Sequence, residues 1–319
     1  MVYYAVYQAA LMYGAVVGLL ALGFRLTHEI SGYMNLGHTV NLGVGMMLGF
    51  IVIQQTNIAP ILGAPFSFIL TGGFNAAIYM LFYRRMESKK YSEALISLFG
   101  LVSVFLGRAI LTVATFLVTF WFGSEYWCGP VSEPSFSLNH LHYRGPETGV
   151  FRGGFFEVML LFASIITVSY WFYRDNSSFM FRAAAEDLNL LEVCGVNSSN
   201  VKILAWFIAG GLGGVAGVMS PYTIKGEFGR DVELLFVPVV LAAIVVENSE
   251  PWMAGIAGLF VGFTQIALIN IGQGLIGVWV GEYWNLLNVI FLVIVLILKD
   301  RKLKIPQVFR TVEQNVSRV

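Results

Sequence analysis

Charge is what this sequence has least of: Asp, Glu, Lys and Arg make up 12% of its 319 residues, about half the roughly 25% of an ordinary soluble domain. With a mean hydropathy of +0.74, that scarcity excludes a soluble enzyme. The 19 basic and 19 acidic side chains cancel, so no basic excess exists to hold a nucleic acid. Two cysteines, Cys128 and Cys194, make no disulfide framework. No Gly-Lys pair occurs, which removes the P-loop that cradles phosphates. H-E-x-x-H, G-x-S-x-G and paired acids inside apolar windows are missing as well, so neither a catalytic centre nor a metal or cofactor motif is expected.

Long uncharged runs are what remains. A hydrocarbon layer about 30 Å thick takes about 20 helical residues to cross. The first 24 residues carry no charge, nor does Ile30 to Tyr83, and Arg108 is the sole charge between Ala94 and Ser124. Closed β-barrels would instead alternate in segments of about ten residues. The reading is therefore an all-α, polytopic transmembrane bundle with crossings near 3–24, 35–53, 65–83, 94–122, 154–173, 201–220, 234–247, 252–272 and 284–298. Segment 35–53 is rich in Gly and polar residues, and 234–247 is short and holds Pro238, so either can be broken or re-entrant and eight crossings compete with nine. The first window lacks the basic start and small-residue site of a signal peptide and is taken as a retained span.

Lys and Arg cluster in loop 84–93, in segment 174–202 and in the tail 299–319, which the positive-inside rule puts in the cytoplasm. Loops 54–64 and 123–153 then face outward. The Asn-x-Ser sequons at Asn176, Asn197 and Asn315 fall on the inner side and are read as chance matches.

Segment 174–202 is a polar stretch with a helix in it. Ser177 or Ser178 can cap its start, Ala183 to Ala185 favour helix, and Gly195 is a natural stop. Phe181, Ala184, Leu188 and Leu191 share one face, while Arg182 and Glu186 can pair at i, i+4. Such a helix suits either the lipid headgroups or a groove on a partner protein; with only Arg182 as a basic residue, it lacks the cationic bias of a membrane-surface helix.

Polar residues inside a span are costly and mark a pathway by default. Asn35, His38 and Asn41, at i, i+3 and i+6 beside Gly32, Gly37, Gly43 and Gly45, form one such set; Gln265, Asn270 and Gln273 form a second. Each set has two readings: donors and acceptors for a polar solute, or hydrogen bonds between close-packed helices. Arg108 has the same two readings, a structural pairing or a contact to a substrate carboxylate.

Four stretches together resemble the permease subunits of ABC importers of the branched-chain amino acid type. Arg182-Ala-Ala-Ala-Glu186-Asp187, Gly195-Val196-Asn197, Val201-Lys202 and the Gly-rich Ala209 to Gly217 are similar to that family's coupling loop and the helix after it. Met34-Asn35-Leu36-Gly37-His38 is similar to its N-F-A-H-G segment, Tyr83 to Leu106 to its third loop and following helix, and Val246 to Gly262 to its G-S-x-x-G-A-x-x-G-G region. The similarity covers nearly the whole chain. It departs at Leu36 and Thr39, at Glu247, Asn248 and Ser249, and at the charged 299–304, which put the substrate in question rather than the class.

The resemblance implies one permease domain over 1–319, with 174–202 as the coupling loop and 299–319 as a cytoplasmic tail. Its residues for coupling to an ATPase are Arg182, Glu186, Asp187, Leu188, Leu191 and Gly195, with Glu186, Asp187 and Leu191 as the docking face. For such a permease the polar sets inside the spans supply the candidate pathway residues, Asn35, His38, Asn41, Gln265 and Asn270. Implied partners are ABC ATPase subunits, a second permease subunit, an extracytoplasmic solute-binding protein and membrane lipid, in a prokaryotic cell membrane. The cargo is a small polar solute, branched-chain or other amino acids first. The rival is a secondary transporter or channel working alone, which needs ionisable residues within its spans for ion coupling.

Overall fold

A computed structural model describes residues 2–56, 60–122, 127–128, 135–136, 154–175, 179–193, 195–220, 235–247, 249–283, 286 and 288–297. Each of the nine apolar windows holds a helix. In chain order these are α1 (Val2–Ser31), α2 (Val40–Thr56), α3 (Ala64–Ile78), α4 (Arg84–Ser88), α5 (Glu93–Phe122), α6 (Phe155–Arg174), α7 (Phe179–Glu186), α8 (Leu188–Val193), α9 (Ser198–Met219), α10 (Phe236–Val245), α11 (Pro251–Leu275) and α12 (Asn288–Ile297). A two-residue antiparallel ladder pairs Trp127 with Phe136 and Cys128 with Ser135. Among the described residues six helical stretches are long and apolar enough to cross a membrane, the third running from Ala64 through to Ser88; α10 and α12 are shorter. At about 1.5 Å per residue, the 10 residues of α10 reach about half of a 30 Å hydrocarbon layer.

Helix α1 is apolar all round and almost wholly enclosed, as such a helix must be. Without water to drive apolar faces together, small residues that let backbones approach hold such helices. Gly14 and Gly18 of α1 lie against Gly258 and Gly262 of α11: a Cβ at Gly258 would meet the Gly18 Cα at 2.6 Å, and one at Gly262 the Gly14 Cα at 2.7 Å. The Gly-rich α9 runs between α2 and α3 in the same way, Gly214 against Gly45 and Thr71, Gly217 against Leu42 and Met46. Outward faces of α5 and α6 are apolar, with Leu160 and Trp171 each 74% exposed, the pattern of a surface solvated by lipid rather than water.

Two expectations are corrected. The second span does not begin as α-helix at residue 35: positive φ at Gly32 (+79°) turns the chain out of α1, and residues 36–39 wind in successive i to i+3 bonds before α2 starts at Val40. Helix α3 does not stop at residue 83. A π-turn over Tyr79–Tyr83 passes it without a gap into α4, so the basic loop shrinks to a turn after Ser88.

Candidate functional site

The segment before α2 lies along a groove of small residues on α5. Met34 N donates to Ser97 Oγ at 3.1 Å, a Cβ at Gly100 would meet Leu36 N at 2.9 Å, and one at Gly107 would meet Val40. Gly37 in turn faces Ser103 with no room for a side chain. That fit leaves Asn35, His38 and Asn41 each under 4% exposed. Bonds from His38 N to the Asn35 carbonyl and from Asn41 N to the His38 carbonyl set the three residues at successive i, i+3 turns rather than along one α-helical face.

Each of the three points at a different helix. Asn35 Oδ1 accepts from the Tyr83 hydroxyl at 3.4 Å. His38 lies edge-on to Phe24 of α1, its ring filling the space a side chain at Gly23 would need. Asn41 packs its Cβ on Gly213 of α9, and its Nδ2 lies 3.4 Å from His38 Nδ1. With that amide donating, the imidazole proton sits on Nε2. His38 Nε2 lies toward the Leu20 carbonyl without closing a hydrogen bond of normal geometry. Thr39, Ser67 and Thr71 also hold buried hydroxyls without a partner. Ser67 and Thr71 are on α3, and Thr71 faces Gly214 of α9. Buried polar atoms are paired more than nine times in ten, so orphans on His38, Ser67 and Thr71, all beside α9, are a departure that calls for a cause.

The second set separates. Gln265 is enclosed and accepts from the Tyr13 hydroxyl of α1 at 3.3 Å, whereas Asn270 is exposed and donates back to the Ile266 carbonyl at 2.8 Å. Asn270 therefore does not join Gln265 in one site, because five residues of α-helix turn it well over 90° away. Arg108 lies within α5, and its side chain is outside the described residues.

Segment 174–202 also differs in detail from expectation. Ser177 and Ser178 lie outside the described residues, as does the Leu188 side chain. One continuous helix was expected; two short ones form, α7 and α8, with Asp187 between them. Phe181, Ala184 and Leu191 face inward onto Leu26, Ile30, Tyr173, Val201 and Ala205. Leu191, at 1% exposure, is thus an internal anchor and not part of an outer docking face. Glu186, Asp187 and Arg182 are exposed. Arg182 donates to the Asp175 carbonyl at 3.4 Å and makes no ion pair with Glu186 among the described residues. Gly195 ends α8 as expected, at φ +82°, with Val196 N bonding Leu191 O and Gly195 N bonding Glu192 O, the paired bonds of a Schellman stop.

Sequence reasoning missed two groups. Arg25, one residue past the first uncharged window, is buried and donates to the Glu247 and Ser249 carbonyls. It ties the turn between α10 and α11 to α1. The second is an aromatic and ionic cluster. Lys202 Nζ lies 3.0 Å from Glu87 Oε2, Glu87 accepts from Tyr33 at 2.8 Å and from Tyr79 at 3.1 Å, and Trp206 packs on Tyr33, Tyr79 and Tyr83. Burial first, and then the Glu87 carboxylate, push the Tyr33 phenol well above its ordinary range, so it stays a donor. Residues from 25–34, 84–93, 174–202 and 247–250 thereby meet at one end of the bundle.

The family described as "Branched-chain amino acid transport system / permease component" matches residues 6–298. A probable branched-chain amino acid transport permease protein LivH of Methanocaldococcus jannaschii is 20% identical over 291 residues, 91% of this chain and 89% of that one. The high-affinity branched-chain amino acid transport system permease protein BraD of Pseudomonas aeruginosa is 25% identical over 223 residues, 65% of this chain and 66% of its own. No solved structure matches.

Proposed function

The chain belongs to the family of branched-chain amino acid transport permeases, and from that membership we propose that it is the membrane-spanning subunit of an ATP-driven importer in a prokaryotic cell membrane. Its cargo is a small polar solute, with branched-chain amino acids as the first candidates. It works with ATPase subunits at the end of the bundle that carries α7 and α8, a second permease subunit beside it and a solute-binding protein at the far end. That makes the basic end cytoplasmic, as the positive-inside rule requires. Lipid covers the apolar outer faces.

One observation carries the pathway: His38, Ser67 and Thr71 hold buried polar atoms without partners beside the Gly-rich α9. Orphaned groups raise the energy of the closed arrangement by roughly 1–3 kcal/mol each. If α9 draws away from α2 and α3, the same groups, with Asn35 and Asn41, become donors and acceptors for a solute and its water. Gln265 lies in the α1–α11 contact and lines the pathway only if those helices also part; Asn270 is a surface residue at the end of α11.

On the coupling side, Glu186 and Asp187 with Arg182 offer exposed charge to the ATPase, Phe181, Ala184 and Leu191 pin the loop to the bundle, and Gly195 ends it. Capture of the ATPase tests this. Glu186→Lys with Asp187→Lys is expected to fold normally and lose the ATPase on co-purification; retention of the ATPase in full yield would refute the assignment. The lone-transporter reading is tested in proteoliposomes holding this chain alone, where robust uptake without ATP would replace the importer with it.

A further inference from the structure

Between the coupling helices and the polar turn at Asn35–His38 runs a series of side-chain contacts, joined across the first turn of α9 by its backbone. It starts where Gly195 and Asn197 hand the chain to α9. Asn197 caps that helix, its side chain accepting from Ser199 N at 2.9 Å, and Ser198 Oγ bonds back to the Glu192 carboxylate of α8. One turn on, Lys202 reaches Glu87 at 3.0 Å. Glu87 holds the hydroxyls of Tyr33 and Tyr79. Tyr33 stacks on Tyr83, with ring planes 3° apart and centroids 5.9 Å apart, and the Tyr83 hydroxyl donates to Asn35. Trp206, one turn beyond Lys202 and fully enclosed, fixes the same assembly from the side: its Nε1 donates to Ser31 Oγ at 3.0 Å and its carbonyl accepts from Asn75 at 2.7 Å.

We propose that the Lys202–Glu87 pair is a positioning element that carries displacement of the first turns of α9 to the polar turn before α2, so that movement at the coupling helices and opening at Asn35–His38 occur together. The proposal rests on the importer reading above and adds to it the residues that make the link. Elsewhere α9 meets α2 and α3 through close-packed glycines, the Phe68–Phe207 contact and the hydrogen bond from Asn75 to the Trp206 carbonyl, none of them charged. The ion pair is different. Its two ends are 13% and 20% exposed, so both charges are largely out of water, where breaking the pair by removing one partner is strongly opposed. Four aromatic rings lock onto that pair, and rings packed at this density move as a unit. The π-turn at Tyr79–Tyr83 lies within the same assembly, and such turns often mark functional sites.

The test uses the complex of this chain with its ATPase. Spin labels at Val196 and at Leu36 are each paired with a reference label at Phe260, which is 64% exposed on α11. In the parent, ATP is expected to shift both distances. In Lys202→Met and in Glu87→Gln, the Val196 shift is expected to remain and the Leu36 shift to vanish, with Lys202→Glu plus Glu87→Lys restoring it. In parallel, uptake of labelled leucine per ATP hydrolysed is expected to fall at least tenfold in the single variants and to recover in the charge swap. A Leu36 shift that persists in both single variants overturns the proposal. If a single variant does not fold, Tyr83→Phe removes only the hydroxyl to Asn35, and an unchanged Leu36 shift in that variant overturns it equally. A parent complex in which ATP moves neither label counts against the importer reading itself, a separate outcome.

Discussion

At the scale of single residues, glycine decides most. A Cβ at Gly217 would lie 2.6 Å from Met46 N and closer still to the Leu42 carbonyl, both backbone atoms that no rotamer change can move. Gly217→Val is expected to cost at least about 1–3 kcal/mol, seen as a lower midpoint of thermal unfolding in detergent. Gly73, the residue after the buried Thr71–Gly72 edge of α3 and about 100° round the helix from Gly72, has nothing within 4 Å. Gly73→Ala is expected to leave that midpoint unchanged or raise it, since glycine inside a helix costs roughly 0.5–1 kcal/mol relative to alanine. Arg25→Met removes the donor for two carbonyls of the α10–α11 turn. Faster proteolysis there is the expected result, with the rest of the chain protected. The sequence shows these sites unequally. Asn35, His38 and Asn41 stand out because polar groups are costly in an apolar window; Arg25 does not, because it lies just past such a window and resembles any charge at the end of a span. Its partners are backbone carbonyls more than 220 residues on, which leave no trace in composition.

Among elements, the runs without charge marked every helix now described in a window, since hydrocarbon imposes the same demand on each. Breaks within them were harder to read. The turn at 36–39, the π-turn at 79–83 and the interruption at Asp187 depend on what each segment packs against, and neighbours distant in sequence set that. Helices α7 and α8 illustrate the point: their apolar face was legible, but whether it met a partner protein or the bundle was not, and Leu191 was assigned to the wrong side. Two substitutions separate the roles. Leu191→Asp is expected to destabilise the loop's anchorage by at least about 2 kcal/mol, the lower limit for losing a buried leucine, and to speed hydrogen exchange across 179–193. Glu186→Lys is expected to leave that exchange unchanged and act only on capture of the ATPase.

The whole molecule inverts the usual distribution of polarity, with leucine and phenylalanine outward on α3, α5, α6 and α11 and polar groups inside, some paired and some orphaned. Family membership settles the class, and the proposed pathway leaves little mark on composition, since it calls on ordinary polar side chains and no reacting group. The π-turn at Tyr79–Tyr83 bears on how such a chain can change over generations. A turn widened by one residue keeps both tyrosines directed inward and still delivers Glu87 to Lys202. Remove one residue from 79–83 and let the turn revert to α-helix, and four residues at about 100° each carry the chain round about as far as the five wider-spaced ones did, so Glu87 keeps its bearing on its three partners; remove one from the α-helical 84–86 instead, and Glu87 swings away by about 100°. Loss of a single codon within 79–83 is therefore a change the chain can absorb, while the same loss within 84–86 should not survive selection for transport.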